Sequence, residues 1–188
     1  MKKIILTLFC ASFSFSCNND NNEYEKNLDH FKNLIKDINT YFIDSTQDTL
    51  AILDYYTEDF IFYSYPAGHK KGVKTHKSNY IRNLHQMKKM NMSINIDHSI
   101  YLPGINKQSY KLDGSVRVYY GATLSTDATI VEFSGYQTVD FKDGKILAIW
   151  EWADYGGVDN QLNDFINKKP TQMSGLFLVD HTGFEPVT

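Results

Sequence analysis

The sequence predicts an α+β domain in which about three N-terminal helices pack on a curved antiparallel sheet. Between Leu28 and Phe42, apolar residues recur at spacings of three and four, which is the period of an amphipathic helix. After Met90 the apolar period falls to two, which is typical of strands. Two strand-like runs then meet at Asp143-Gly144, a dipeptide that favours a tight hairpin turn.

Residues 1–16 are predicted to be a signal peptide that takes no part in the fold. Lys2 and Lys3 precede an apolar run that is too short to span a bilayer as a stable helix. The small residue before Cys17 and the polar run after it resemble the lipobox of bacterial lipoproteins, in which the cysteine is lipidated. Ser14 stands where that pattern usually has an aliphatic residue, so a plain secretory signal is the alternative. Both interpretations predict an extracytoplasmic protein. The lipoprotein interpretation places it in the cell envelope, where a lipid on Cys17 would anchor it to a bacterial membrane.

The elements of the domain follow from these patterns in chain order. Residues 17–27 are polar and Asn-rich, and we expect a flexible tether there. The domain covers residues 28–162 and begins with the long amphipathic helix, and residues 163–188 form a C-terminal extension. The other predicted elements are helices at 47–56 and about 74–90, and strands at 60–65, 93–101, 115–124 and within 131–155.

The hairpin also sets which side chains share a face of the sheet. With the tight turn at its tip, Gly135 lies opposite Trp152. Because side chains alternate along a strand, we expect a mostly apolar inner face that ends in Asp154. Glu151 falls on the other face, where we expect it to be solvated or at an oligomer surface.

Three short motifs stand in the order found in a known protein family. The first is the strand 60–65 together with the Pro66 to Gly72 loop after it. The second is the turn at 141–146, and the third is the Trp-containing run 150–154. The order resembles the NTF2-like superfamily, and within it the SnoaL-like, polyketide cyclase-like group. The resemblance implies a cone-shaped α+β fold with a pocket. In the cyclases a carboxylate at the end of a similar strand is the acid/base, and Asp154 stands at the matching position.

Two residues are candidates for catalysis. A carboxyl group such as Asp154 on an apolar face loses hydration, which favours its neutral form and suits it to proton transfer. The competing interpretation is a strand-end Asp that caps the turn at residues 155–157. His76 is the second candidate, because it would share a helical stripe with Tyr80 and Leu84. A core histidine bonded to a backbone carbonyl is the commoner case.

Aromatic side chains are predicted to line the pocket, since aromatic residues favour strands and bury large areas. For any single tyrosine among them, plain packing in the core is the alternative. The candidate ligand-binding residues are Trp150, Trp152, Phe133, Tyr63, Tyr80 and Tyr120.

The sequence predicts no metal, no cofactor and no nucleic-acid partner. The histidines have no paired spacing, and no HExxH, P-loop or GxGxxG pattern is present. Cys10 lies in the signal peptide and Cys17 would carry the lipid, so no thiol is left for other chemistry. A formal net charge of −3 argues against nucleic acid.

Three functions remain open at this point. The first is an exported, lipid-anchored domain that binds a small apolar or aromatic molecule. The second is a SnoaL-like isomerase, cyclase or dehydratase that uses Asp154 as general acid/base. The third is an interaction module that forms a homodimer through the outer sheet face. We predict the first, because proton-transfer catalysis needs a second polar group whose position relative to Asp154 the sequence does not fix.

Overall fold

The computed structural model describes residues 19–168, except residues 45 and 49. Within this part of the chain it contains four helices and six strands. The helices are α1 Asn19–Ile43, α2 Leu50–Leu53, α3 Lys77–Lys89 and α4 Tyr155–Lys168. The strands are β1 Tyr56–Ser64, β2 Val73–His76, β3 Ser93–Ile105, β4 Leu112–Ser125, β5 Ile130–Lys142 and β6 Lys145–Ala153.

The six strands form one sheet in the order β2-β1-β6-β5-β4-β3. Neighbouring strands are antiparallel, except that β1 and β6 run parallel. α1 packs on β3 and β4, and α3 packs on β1 and β2. The predicted α+β class, with helices packed on a curved and mainly antiparallel sheet, is confirmed.

α1 follows the predicted apolar stripe but begins earlier. Leu28 is buried, and so are the residues that continue its stripe toward the C-terminus. The helix begins at Asn19, and Tyr24 is already buried one turn before Leu28. Asn27 is buried too, and its Nδ2 donates to the carbonyl oxygen of Gly114 at 2.9 Å. The prediction of a flexible tether is therefore wrong from Asn19 onward, because Tyr24 extends the buried face of the helix.

His76 precedes α3 instead of lying within it. It is the last residue of β2, where it pairs with Ile61 of β1, and α3 starts only at Lys77. Its side chain is exposed and makes no capping hydrogen bond. The prediction that His76 shares an apolar stripe with Tyr80 and Leu84 is wrong. β2 continues through His76, so the helix begins one residue after it.

β5 and β6 form the predicted hairpin. Lys142 pairs with Lys145, and the two residues between them are the loop. Asp143 has a φ of 53° and Gly144 a φ of 75°. Positive φ at both central positions is what a type I′ turn requires, and its twist matches that of the flanking strands.

A β-bulge follows the turn and changes the register. Phe141 pairs with Ile146, but the next pair joins Asp140 to Ala148. Leu147 is therefore an extra residue with no partner on β5. From this point to the end of β6, each residue is shifted by one relative to the predicted pairing.

This shift exchanges the two faces of β6. Gln137 pairs with Glu151, and Gly135 pairs with Ala153 rather than with Trp152. The predicted register is wrong, because one additional residue moves every later side chain to the opposite face. Glu151 lies on the inner face with the buried Gln137, whereas Trp150 and Trp152 lie on the outer face.

Three predictions concern residues outside the described part of the chain. The signal peptide and Cys17 precede it, and most of the C-terminal extension follows it. Within residues 19–168, with the two gaps noted above, none of the helices has the length and apolar character needed to cross a membrane.

Candidate functional site

A cavity of about 220 Å³ lies between the inner face of the sheet and the helices. Its walls are mainly apolar and include Phe62, Leu84, Met87, Ile94 and Ile96. Mainly apolar walls with a few placed polar groups are characteristic of small-molecule sites. The polar residues among those that line it are Ser64, Thr75, Tyr80, Asn83, Tyr120, Gln137, Glu151 and Tyr155.

The carboxylate of Glu151 is the polar centre of this cavity. Its Oε2 accepts hydrogen bonds from the Tyr120 hydroxyl, at 2.9 Å, and from the Gln137 amide. Its Oε1 accepts a hydrogen bond from the Tyr155 hydroxyl at 2.5 Å. We call these four side chains the carboxylate cluster. Its members come from β4, β5, β6 and the start of α4, so the cluster forms only when these three strands and the helix have come together.

Both tyrosines of the carboxylate cluster retain their protons. Burial raises the pKa of Tyr120 far above its usual range, and the negative charge of Glu151 raises it further. The same two causes raise the pKa of Tyr155. Each hydroxyl therefore donates to Glu151 at any physiological pH.

Gly135 allows Tyr120 to reach the carboxylate. The two residues are directly paired between β4 and β5. A Cβ atom placed on Gly135 would lie 2.5 Å from the Tyr120 hydroxyl oxygen. The tyrosine ring therefore crosses β5 over the one position that carries no side chain, and its hydroxyl reaches Glu151 on β6.

Asp154 caps α4 and does not line the cavity. Its side chain is exposed, and its Oδ1 accepts the backbone N–H of Gly157 at 2.9 Å. This bond is that of an N-cap residue, which satisfies a free amide of the first helical turn. The prediction that Asp154 is the pocket carboxylate is wrong, because β6 ends at Ala153 and the chain turns into the helix. The cap also fixes the turn from which Tyr155 extends to Glu151.

The six predicted aromatic ligand residues divide between the two faces of the sheet. Tyr80 and Tyr120 line the cavity. Burial raises the pKa of Tyr80 to about 12, so its hydroxyl is also protonated at neutral pH. Phe133 packs against the core with its ring 6.3 Å from that of Tyr120, in an edge-to-face arrangement.

The other three lie on the outer face and pair with each other or with Tyr65. Trp150 stacks on Tyr63 with ring centroids 4.0 Å apart, and its Nε1 donates to Asp140 at 2.8 Å. Trp152 stacks on Tyr65 at 4.5 Å. The first stack joins β6 to β1, and the second joins β6 to the residue directly after β1. These residues therefore stabilise the parallel strand pair instead of facing the cavity.

Sequence reasoning missed three members of the carboxylate cluster, namely Glu151, Gln137 and Tyr155.

In the described residues, no group of three or more His, Cys, Asp or Glu side chains is arranged to hold a metal ion. The polar groups that line the cavity are one carboxylate, several hydroxyls and two amides.

No protein-family model matches the chain, and no curated protein matches it in sequence. Solved structures do resemble it. PrhC from Penicillium brasilianum NBRC 6234 aligns with a TM-score of 0.60 and 14% identity over 82% of this chain and 95% of that one. A proposed polyketide cyclase from Xanthomonas campestris pv. campestris aligns with a TM-score of 0.57 and 13% identity, over 74% of this chain and 98% of that one. A proposed isomerase from Bacillus subtilis aligns with a TM-score of 0.53 and 14% identity, over 75% of this chain and 95% of that one.

At these identities the similarity concerns the fold alone. It agrees with the element order and the single curved sheet described above. The chain therefore has the α+β cone fold of NTF2-like proteins, which it shares with structures of polyketide cyclase-like proteins.

Proposed function

We propose that this chain binds a small, mainly apolar molecule in its cavity, with the carboxylate of Glu151 as the polar anchor. The observation that carries the proposal is the carboxylate cluster itself. Tyr120, Gln137 and Tyr155 all direct donors at one carboxylate that lines an otherwise mainly apolar cavity. An ionised group in such a place costs free energy unless it is well hydrogen-bonded or serves a ligand.

Ligand analysis of the purified protein tests this proposal. We expect extraction and mass spectrometry to recover a small apolar compound from the wild type and less of it from Glu151→Gln. Glu132→Gln is the matched control, because it makes the same change at an exposed position of β5. A wild-type protein that carries no compound, and binds none from an NMR-screened library of small apolar molecules, would overturn the proposal.

A second candidate is proton transfer catalysed by Glu151. The same cavity contains hydroxyl and amide groups of Ser64, Thr75 and Asn83 that can donate to a ligand oxygen. A carboxylate base in the same cavity as such donors could remove a proton from a carbon next to a carbonyl group while the donors stabilise the resulting oxyanion. The structural neighbours that are described as a proposed cyclase and a proposed isomerase make this chemistry worth testing.

Deuterium exchange distinguishes the two candidates. The ligand recovered from the wild type would be incubated with the protein in D₂O and followed by NMR. Catalysis predicts exchange at one carbon that is lost in Glu151→Gln and retained in Glu132→Gln. Binding without exchange leaves the anchor role and removes the catalytic one.

We also propose export and lipid anchoring at Cys17, supported by the sequence pattern around that residue. The Cys17→Ser variant should move from the membrane fraction to the soluble fraction of lysed cells. Equal membrane association of the two proteins would contradict the anchor.

A homodimer through the outer sheet face is a further proposal. Large apolar side chains there are about half exposed, including Ile100 at 52%, Leu102 at 45% and Tyr119 at 52%. Contiguous exposed apolar residues of this kind often mark an interface. Sedimentation of the wild type as a dimer, and of Ile100→Lys as a monomer, would support it, whereas a monomeric wild type would contradict it.

A further inference from the structure

The donors and charges around Glu151 restrict what a ligand can present to it. We propose that the ligand meets Glu151 with a hydrogen-bond donor, a hydroxyl or an amino group, and that the ligand carries no anionic group. The inference rests on the proposed function, because it names the class of molecule that the same cavity binds.

The protein fills most of the acceptor capacity of Glu151 with its own donors. A carboxylate offers about four acceptor positions and no proton of its own when ionised. Tyr120, Gln137 and Tyr155 occupy three of them. A ligand atom at the remaining position must bring its own proton, since a carbonyl or carboxylate oxygen there would face another oxygen.

The charges around the cavity point to the same class of molecule. Among the described residues that line it, none is Lys, Arg or His, and Glu151 is the one acidic residue. Lys77, at the start of α3, bonds to Glu58 at 2.8 Å and does not line the cavity. An anionic ligand would therefore enter a mainly apolar cavity next to a like charge, with no cation among the described lining residues to compensate it.

The remaining polar side chains allow a second, neutral polar atom. Ser64, Thr75 and Asn83 can each donate to or accept from a ligand hydroxyl or carbonyl group. The apolar walls bind the rest of the molecule. The class is thus an apolar ring or chain with at least one hydroxyl or amino group and no negative charge.

Four naphthyl probes of similar size test the inference at pH 7. They are 2-naphthol, 2-naphthylmethylamine, 2-methylnaphthalene and 2-naphthoate, each titrated into the protein and followed by protein NMR. We expect at least one of the two donor probes to bind about tenfold or more tightly than 2-naphthoate, and more tightly than 2-methylnaphthalene. Comparing the alcohol with the amine identifies which donor the site prefers.

Variants connect this preference to Glu151. In Glu151→Gln the side chain is uncharged and carries an N–H donor, so the preference over 2-naphthoate should shrink severalfold. Glu132→Gln should leave it unchanged. The wild-type comparison does not depend on the folding of any variant, so the inference can be tested even if Glu151→Gln is unstable.

The outcomes separate the inference from the proposed function. Binding of 2-naphthoate as tightly as the donor probes would overturn the inference and leave small-molecule binding intact. A preference that persists unchanged in a folded Glu151→Gln protein would overturn it as well, since the preference would come from elsewhere. Failure of all four probes to bind would overturn the inference, and the extraction and library screen described above would then decide separately whether the cavity binds any small molecule.

Discussion

The two faces of the β5–β6 hairpin have the same backbone but different chemistry. On the inner face, Gln137 and Glu151 form part of a hydrogen-bonded cluster in a cavity. On the outer face, Trp150 stacks on Tyr63 of β1, and Trp152 stacks on Tyr65, the residue directly after β1. Glu151 lies between the two tryptophans in sequence, and only the alternation of the strand separates their roles. Aromatic residues here mark the face that stabilises the sheet, and the polar residue between them marks the site.

The same comparison holds for two carboxylates of the hairpin. Asp140 is on the outer face and accepts one side-chain hydrogen bond, from Trp150. Glu151 is on the inner face and accepts three. Substitutions on the outer face should therefore change stability more than binding, and substitutions on the inner face the reverse.

Trp150→Ala should have the largest effect. It removes the stack on Tyr63 and leaves Asp140 without its indole donor, so we expect a loss of about 3–5 kcal/mol in the free energy of unfolding. Denaturant melts measure it. Trp150→Phe is the matched control, because it keeps a ring on Tyr63. A Trp150→Ala protein that keeps its stability but loses probe binding would reverse the assignment of the two faces.

Gly135→Val comes next, because it acts on the inner face. The new side chain displaces the Tyr120 hydroxyl from Glu151, which should cost about 1–3 kcal/mol and weaken probe binding. Ser134→Val, at the neighbouring exposed position, should change stability by no more than about 0.5 kcal/mol. Unchanged probe affinity in a folded Gly135→Val protein would contradict the role of the cluster.

Asp154→Ala should cost about 0.5–2 kcal/mol, since it removes the N-cap of α4. Asp154→Asn should be close to neutral, because asparagine caps helices as well as aspartate does. Probe affinity should follow stability in both variants. An Asp154→Asn protein with native stability and no binding would return Asp154 to the site.

Asp140→Asn should have the smallest effect, and it should depend on pH. Burial is the main cause that raises the pKa of Asp140 in the folded protein. The folded state then binds the proton more tightly than the unfolded state, so this group lowers stability as pH rises through its unfolded value. Asparagine, which still accepts from Trp150, should stabilise the protein slightly at pH 7, by less than about 1 kcal/mol because solvent screens the partly exposed charge, and have little effect at pH 3. Denaturant melts at both pH values measure the effect. A variant that is less stable than the wild type at pH 7 would contradict the direction of the pKa shift.

Local patterns in the sequence were sufficient for the body of α1 and for the turn, but not for the start of α3 or for α4. The stripe from Leu28 onward predicts α1, and Asp143-Gly144 predicts the hairpin, because each depends on residues close in the chain. The bulge at Leu147 could not be predicted in the same way. Residues 146–149 are all apolar, so they carry no alternation that fixes which side chains point inward.

The position of the site depends on the bulge at Leu147, which the sequence does not predict. An uninterrupted register places Asp154 and the tryptophans on the inner face, and one extra residue replaces them with Glu151. The four apolar residues before Trp150 break the alternation of the strand. This break is the one sequence signal that could have indicated a bulge and therefore the observed register. Tyr155 was missed for another reason, since its contact with Glu151 depends on the direction in which α4 leaves the sheet.

Carboxyl ¹³C NMR tests most directly whether Glu151 or Asp154 is the pocket carboxylate. Protein labelled at the carboxyl carbons of Asp and Glu would be titrated with the tightest-binding naphthyl probe, after assignment of both signals with Glu151→Gln and Asp154→Asn. We expect the Glu151 signal to shift with probe concentration while the Asp154 signal stays in place. A shift of Asp154 with an unchanged Glu151 signal would contradict the register, the site and the function proposed from them.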